Sequence, residues 1–294
     1  MKCKIYLLLM VPFTYNISWA QGAALGEIAK LEYRLVPSLG DTEMSTYTFN
    51  LGGGIKMKSG FLGIGLGYTN HNFSFFDLPG NFESQEYEEI HVLRARLFYR
   101  HKMGKGWSAN FSVAPGLSSN FAEGISGDDF QINALTGLSK RWEGGKGPAT
   151  FSFGLAFGTA FGKPQFFPTL SFGKKLSERW SYVLGIPVSG LTYRPDERHS
   201  LRARATFFGT YANISSTVSF NDIGDLRHTK LQVNGLDFGV EHNFRIQPNF
   251  TTVIRVGYWS TNQFRILDGE NTELFNFETT GAAYISMGLT FNLN

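Results

Sequence analysis

The sequence predicts an all-β chain, a closed antiparallel up-and-down transmembrane β-barrel of about 12–14 strands. Three observations carry that expectation. Side chains alternate with period two along the whole chain. The two alternating faces differ in size, one bulky and apolar, the other small or polar. Compact turn-like connections alternate with longer polar ones.

The alternation is plainest in residues 61–71, where Leu62, Ile64, Leu66 and Tyr68 stand against Gly63, Gly65, Gly67, Thr69 and His71. In residues 149–161, Phe151, Phe153, Leu155, Phe157 and Phe161 alternate with Thr150, Ser152, Gly154, Ala156, Gly158 and Ala160. A soluble sandwich would turn its bulky face inward and show long charged residues to water. Here the second face is small, which suits a crowded barrel interior, and the bulky face suits lipid. The chain is 15% aromatic and only 17% charged, which favours the barrel over a soluble exported β-sandwich.

Each connection supports the same topology. Lys58-Ser59-Gly60, Gly104-Lys105-Gly106 and the stretches 143–148, 176–179, 195–199 and 245–249 are compact. Several lead into an aromatic residue, Phe61, Trp107, Trp180 or Phe250, as an interfacial girdle requires. Longer polar stretches fall between them at 77–89, 122–129, 215–228 and 267–279. Strands are expected near 28–36, 44–57, 61–76, 88–103, 107–119, 130–142, 149–162, 165–175, 180–187, 189–195, 199–213, 229–245, 250–266 and 280–293. The pair flanking Pro187 is short for a crossing of roughly 9–11 residues, and proline prefers an edge or bulge. Without that pair the count would be twelve.

At the N-terminus, Lys2 and Lys4 precede an apolar stretch from Ile5 to Phe13 and a polar segment closing at Ala20. That layout predicts a signal peptide over 1–20, with the barrel domain over 21–294. The apolar core falls below the roughly 20 residues of a spanning helix. Cys3, the single cysteine, lies before it, so neither a lipid-modified cysteine after the core nor a disulfide in the mature chain is expected. Cleavage removes two lysines and no acid, leaving 25 basic and 24 acidic residues, so no nucleic-acid partner is expected. Mean hydropathy is only -0.14, against a helical membrane protein.

The final strand alternates Ala283, Ile285, Met287, Leu289, Phe291 and Leu293 with Tyr284, Ser286, Gly288, Thr290 and Asn292. In a closed barrel it would pair with the first strand, so that no edge remains. The pattern Ser286, Gly288, Phe291, Leu293 resembles the C-terminal targeting signal of outer-membrane barrels. The resemblance implies that the barrel-insertion machinery reads this strand, although Leu293 replaces an aromatic and Asn294 follows it. From about residue 28 onward the chain is also similar to a family of Gram-negative outer-membrane barrels of unknown function. Residues 180–193, with Gly185-Ile186-Pro187, and Gly257-Tyr258-Trp259 carry that similarity. It implies location in the outer membrane, in contact with its lipids, and no chemistry.

Arg94, Arg96 and Arg100 share one strand face, Arg202 and Arg204 repeat the arrangement, and Arg255 lies between Ile254 and Val256. An arginine against lipid costs about 2–4 kcal/mol near the midplane, so these side chains should face the lumen. Asp237 and Glu241 should join them. Their functional reading is a charged lining that selects solutes in a narrow pore. The structural alternative is a network of arginines paired to Asp237, Glu241 and Glu32 that fills the barrel. The function expected is passive passage of small polar solutes; the alternative is a sealed barrel with a structural or surface-interaction role through its loops.

No catalytic residue, metal or cofactor is assigned. His199 and Ser200, as neighbours in a strand, point to opposite faces, and His71 and Ser74 have the wrong spacing for one face. The acidic stretch with Asp77, Glu83, Glu86, Glu88 and Glu89 matches no calcium loop. Gly52-Gly53-Gly54 lacks the lysine and helix of a phosphate loop.

Overall fold

The structure, a computed structural model, describes residues 27–76, 84–144, 147–220, 224–277 and 279–293. The expected signal peptide, together with Asp77 and Glu83, lies outside them. Strands form where the period-two runs lie: β1 (Glu27–Val36), β2 (Thr42–Met57), β3 (Gly60–Phe75), β4 (Glu89–Gly104), β5 (Trp107–Ser119) and β6 (Phe130–Trp142). They continue as β7 (Ala149–Gly158), β8 (Gln165–Lys175), β9 (Trp180–Ile186), β10 (Val188–Tyr193) and β11 (His199–Ile214). A small hairpin, β12 (Val218–Phe220) with β13 (Gly224–Leu226), precedes β14 (Thr229–Gln247), β15 (Phe250–Leu267), β16 (Glu273–Asn276) and β17 (Ala282–Asn292).

Each barrel strand pairs antiparallel with the next, and β17 returns to β1, with Glu32 opposite Gly288. The ring of fourteen strands comprises β1–β11, β14, β15 and β17, so the short pair flanking Pro187 belongs to it. Closure removes the open edge that would otherwise expose unpaired backbone groups to lipid. Outside, the bulky face is exposed as a belt that includes Leu31, Phe49, Ile64, Leu97, Leu184, Val240, Ile254 and Met287. Trp107, Trp180 and Phe250 are exposed at the short-turn end, and the Trp180 ring stacks on Tyr193 at 4.5 Å. Phe61 departs from the expected girdle. Its ring packs against Phe98, a residue on the arginine face of β4, because Gly54 across the β2–β3 pair leaves room for it.

The Pro187 hairpin has a second consequence. β8 pairs with β9 only from Leu170 onward, and β11 pairs with β10 only up to Thr206. The wall is therefore low at this point. Above it β11 crosses to the other side: Asn213 pairs in parallel with Ser119 of β5, and Ser118 Oγ donates to the Tyr211 carbonyl at 2.9 Å. At the long-loop end the sheet thus closes a second time, into a narrower ring from β11 through β14, β15, β17 and β1 to β5.

An apolar core fills this narrower ring. Val36, Met44, Phe73, Val92, Ile214, Leu231, Val233, Phe264 and Ile266 are buried there beside Leu39, Tyr87 and Phe277. The Phe264 ring lies 4.4 Å from Phe277 and 5.5 Å from Phe73. Val36, Met44, Phe73, Val92, Ile214, Leu231 and Val233 continue the lumen-facing parity of their strands, while Phe264 and Ile266 turn inward through the register shift opposite Asn234 and Gly235, so the inner face is not small and polar along its whole height, as the sequence reading assumed. β7 also stops earlier than expected, at Gly158. Phe161 then meets Phe167 edge-on and Phe207 at a tilt, at 5.0 and 4.7 Å, inside a loop instead of a lipid-facing strand.

Candidate functional site

Below the apolar core the lumen is lined by charge. On the wall formed by β1, β14, β15 and β17, strand register aligns Glu241 with Arg255 and Arg202, Arg255 with Ser286, and Ser286 with Arg34. Arg255, 3% exposed, donates from Nε to Glu241 Oε2 at 3.2 Å and makes a second bond to it through Nη2. Its Nη1 lies 3.7 Å from Glu32. Glu32 also pairs with Lys30 at 2.6 Å and Arg34 at 3.7 Å, and Glu241 with Arg202 at 3.5 Å. Asp237 lies 3.5 Å from Arg34 and accepts from the Tyr284 hydroxyl at 2.5 Å. Small residues make this packing possible, since Gly239 and Gly257 lie under the Tyr284 ring and Gly288 lies beside Glu32.

The opposite wall carries Arg94, Arg96 and Arg100 on β4. Register sets Arg94 between Gly67 and Gly116, Arg96 beside Gly65, and Arg100 beside Asn110. A Cβ at Gly116 would fall 2.9 Å from Arg94 Cγ, so this glycine leaves space for the arginine stem. Arg100 Nε donates to Asn110 Oδ1 at 2.9 Å, and its guanidinium lies 5.6 Å from the Phe98 ring centre. Strand register sets Arg94, Arg96, Arg100, Arg202, Arg204 and Arg255 on the same sheet face as Asp237 and Glu241. Arg202 and Arg255 lie on the wall that carries Glu241, and Arg94, Arg96 and Arg100 lie on β4; Arg204 lies on β11 opposite Gly239. Lys30, Arg34 and Tyr284 were not singled out by sequence reasoning, although their parity with Glu32 and Ser286 was readable.

Of the C-terminal pattern, Ser286 and Gly288 face the lumen, the Phe291 ring lies tilted against Phe250 at 5.1 Å, and Leu293 is exposed. The histidines considered for catalysis are held otherwise. His199 Nδ1 lies 3.0 Å from His242 Nε2 with the rings stacked, and His71 Nδ1 lies 3.1 Å from Thr46 Oγ1. In the acidic stretch Glu86 is bonded to Asn120 at 3.2 Å and to Ser216, while Glu88 accepts from Ser84 at 3.0 Å. Cavities accompany the lumen among the described residues. One of about 80 Å³ is bordered by Arg94, Arg96, Asn133 and Thr159 under Phe207 and Gly209. Another, about 210 Å³, lies at the long-loop end among Lys163, Gln232, Gln263, Arg265 and Glu273.

A closed ring of antiparallel strands with a bulky apolar exterior and a charged interior defines a β-barrel of the outer-membrane type. The chain belongs to the family described as "Domain of unknown function (DUF6268)", which matches residues 55–292. No curated protein matches it in sequence. Among solved structures it is similar to LpxR from Salmonella typhimurium, with 7% identity, a TM-score of 0.43, and coverage of 90% of this chain and 100% of that one. It is similar to the NanC porin at 10% identity and a TM-score of 0.39, over 90% and 100% of the two chains. A KdgM porin in complex with disordered oligogalacturonate gives 7% identity and a TM-score of 0.36, over 90% and 99%.

Proposed function

We propose that this outer-membrane barrel is a narrow pore for passive passage of small polar solutes, held here in a conformation closed at the long-loop end. The carrying observation is the middle of the lumen, where the inner face is charged and glycine-rich instead of packed with apolar side chains. In this reading Arg94, Arg96, Arg100, Arg202, Arg204, Arg255, Asp237 and Glu241 set the selectivity, by the field that rings of charge create in a narrow passage. The signal peptide is removed near Ala20, and the insertion machinery reads Ser286, Gly288, Phe291 and Leu293. The reading involves no catalytic step, cofactor or nucleic acid.

A specific observation favours a second reading, a sealed barrel that acts structurally or through its loops: the apolar core that fills the long-loop end. Single-channel conductance of the refolded protein in a planar bilayer separates the two, with heat-modifiable gel mobility reporting that the barrel has formed. Discrete, reproducible steps support the pore. A folded barrel that never conducts, even when the core is opened by Phe264→Ala, rules it out.

A further inference from the structure

We infer that the long-loop end carries a binding site for a hydroxylated carboxylate of monosaccharide size, in the cavity of about 210 Å³ on the outer side of β14 and β15. The site goes beyond the pore reading, because none of its residues belongs to the charged lumen. Three observations converge. First, the outward face of the sheet changes character there. On β14, Phe238 and Val240 belong to the bulky belt, while Asn234 and Gln232, on the same face nearer the loops, are polar and buried. The register shift that turns Phe264 into the core also turns Gln263 outward beside Asn234, and Arg265 outward beside Gln232. A polar patch thus begins where the apolar belt ends.

Second, the loop after β7 packs on this patch and leaves a space. Asn234 Nδ2 donates to the Phe161 carbonyl at 2.7 Å. Gly162 follows in the left-handed region, at φ +93°, and a Cβ there would clash with the Asn234 amide nitrogen, so glycine is what lets the loop come this close. Lys163 then lines the cavity together with Asn271 and Glu273 of the β15–β16 hairpin. At about 30 Å³ per water, the space holds about seven waters or one monosaccharide-sized solute.

Third, the lining is rich in donors and carries excess positive charge. Gln263 Oε1 accepts from Gln232 Nε2 at 2.7 Å and from Asn234 Nδ2 at 2.9 Å, so both its lone pairs are taken and its own amide nitrogen remains to donate. Asn271 Oδ1 accepts from the Tyr211 hydroxyl, which likewise leaves its amide nitrogen. Arg265 donates from Nη1 to Glu273 at 2.8 Å, and its buried Nε has no acceptor among the described residues. Lys163 and Arg265 bring two positive charges against the single negative charge of Glu273. That balance suits a monoanion, whose carboxylate answers the two cations while its hydroxyl oxygens accept from the amides.

The test is calorimetric titration of the full, refolded barrel with gluconate at neutral pH and low ionic strength, with heat-modifiable gel mobility reporting that each variant has folded. Saturable binding is expected, and it should be stronger than that of glucose, which lacks the charge, or of acetate, which lacks the hydroxyls. K163E, at an exposed position, should weaken gluconate at least tenfold by reversing the charge at the cavity. N271G keeps a residue suited to the positive φ of 69° and removes the amide, so it should weaken binding about fivefold. K56Q, at the short-turn end of β2, should bind as wild type. A folded wild-type barrel without saturable binding, a K163E or N271G barrel that binds as wild type, or glucose or acetate bound as tightly as gluconate overturns the inference. So does a K56Q barrel weakened as much as K163E, which would place the effect in overall charge. Binding that meets these expectations supports the site whether or not the barrel conducts, so its failure and that of the pore are read separately.

Discussion

Replacing Arg255 with alanine tests whether the charged wall is a dry structural network or a solvated lining. The guanidinium is 3% exposed, 3.2 Å from Glu241 through Nε and 3.7 Å from Glu32. Stranding one member of a buried pair costs about 3–5 kcal/mol, because a charge is left without compensation. Here both carboxylates keep other partners. Glu241 retains Arg202 at 3.5 Å and the Asn243 amide at 2.9 Å, and Glu32 retains Lys30 at 2.6 Å. The expected loss therefore lies at the low end, about 3 kcal/mol. Replacing Arg255 and Glu241 together with methionine removes both charges and should cost less than Arg255→Met alone, and with Glu241→Met the double-mutant cycle should give a coupling energy of about 2 kcal/mol. Urea unfolding of the refolded barrel, followed by tryptophan fluorescence and gel mobility, measures both. A loss below about 0.5 kcal/mol for Arg255→Ala would refute the argument, since it would mean that lumen water solvates the stranded carboxylates.

Three further outcomes are expected. Met287→Arg, at a lipid-facing position 57% exposed in the middle of β17, should destabilise the membrane-inserted barrel by about 2–4 kcal/mol, and an unchanged urea midpoint would contradict the assigned outer face. Phe264→Ala, at a fully buried position, should cost about 3–5 kcal/mol of packing and raise conductance by loosening the core; stability lost with no change in conductance would assign that core to structure alone. In the β10–β11 turn, the backbone N–H groups of Arg198 and His199, each 2.8 Å from Asp196 Oδ1, hold its carboxyl below the ordinary range. Its contribution is full above the unfolded value of about 3.9 and is lost as pH falls through the lower folded value. Wild type should therefore lose more stability between pH 5 and pH 3 than Asp196→Ala, and equal losses would remove the role assigned to this turn.

Much of this protein was legible because a strand's period is two, so one assignment of parity places the side chains of an unbulged strand on their faces. The bulky belt, the inward arginines and the alternation of short and long connections all follow from that rule together with the cost of charge in lipid. The sequence by itself therefore determined a barrel and its inner and outer faces. Parity does not say what an inward side chain meets. Arg94 and Val92 share the inner face of β4, yet one lines the charged lumen and the other enters the apolar core.

That division depends on where the sheet closes. The short hairpin at Pro187 lowers the wall, β11 crosses to β5, and the ring narrows until facing side chains touch and exclude water. Arg34, Asp237 and Tyr284 likewise lie far apart in the chain and meet only because the ring closes through β1, β14, β15 and β17, which brings Arg34 and Tyr284 within 3.5 Å of the Asp237 carboxylate. Only the tertiary structure decided these contacts, because they depend on distances across the lumen, which strand periodicity does not encode.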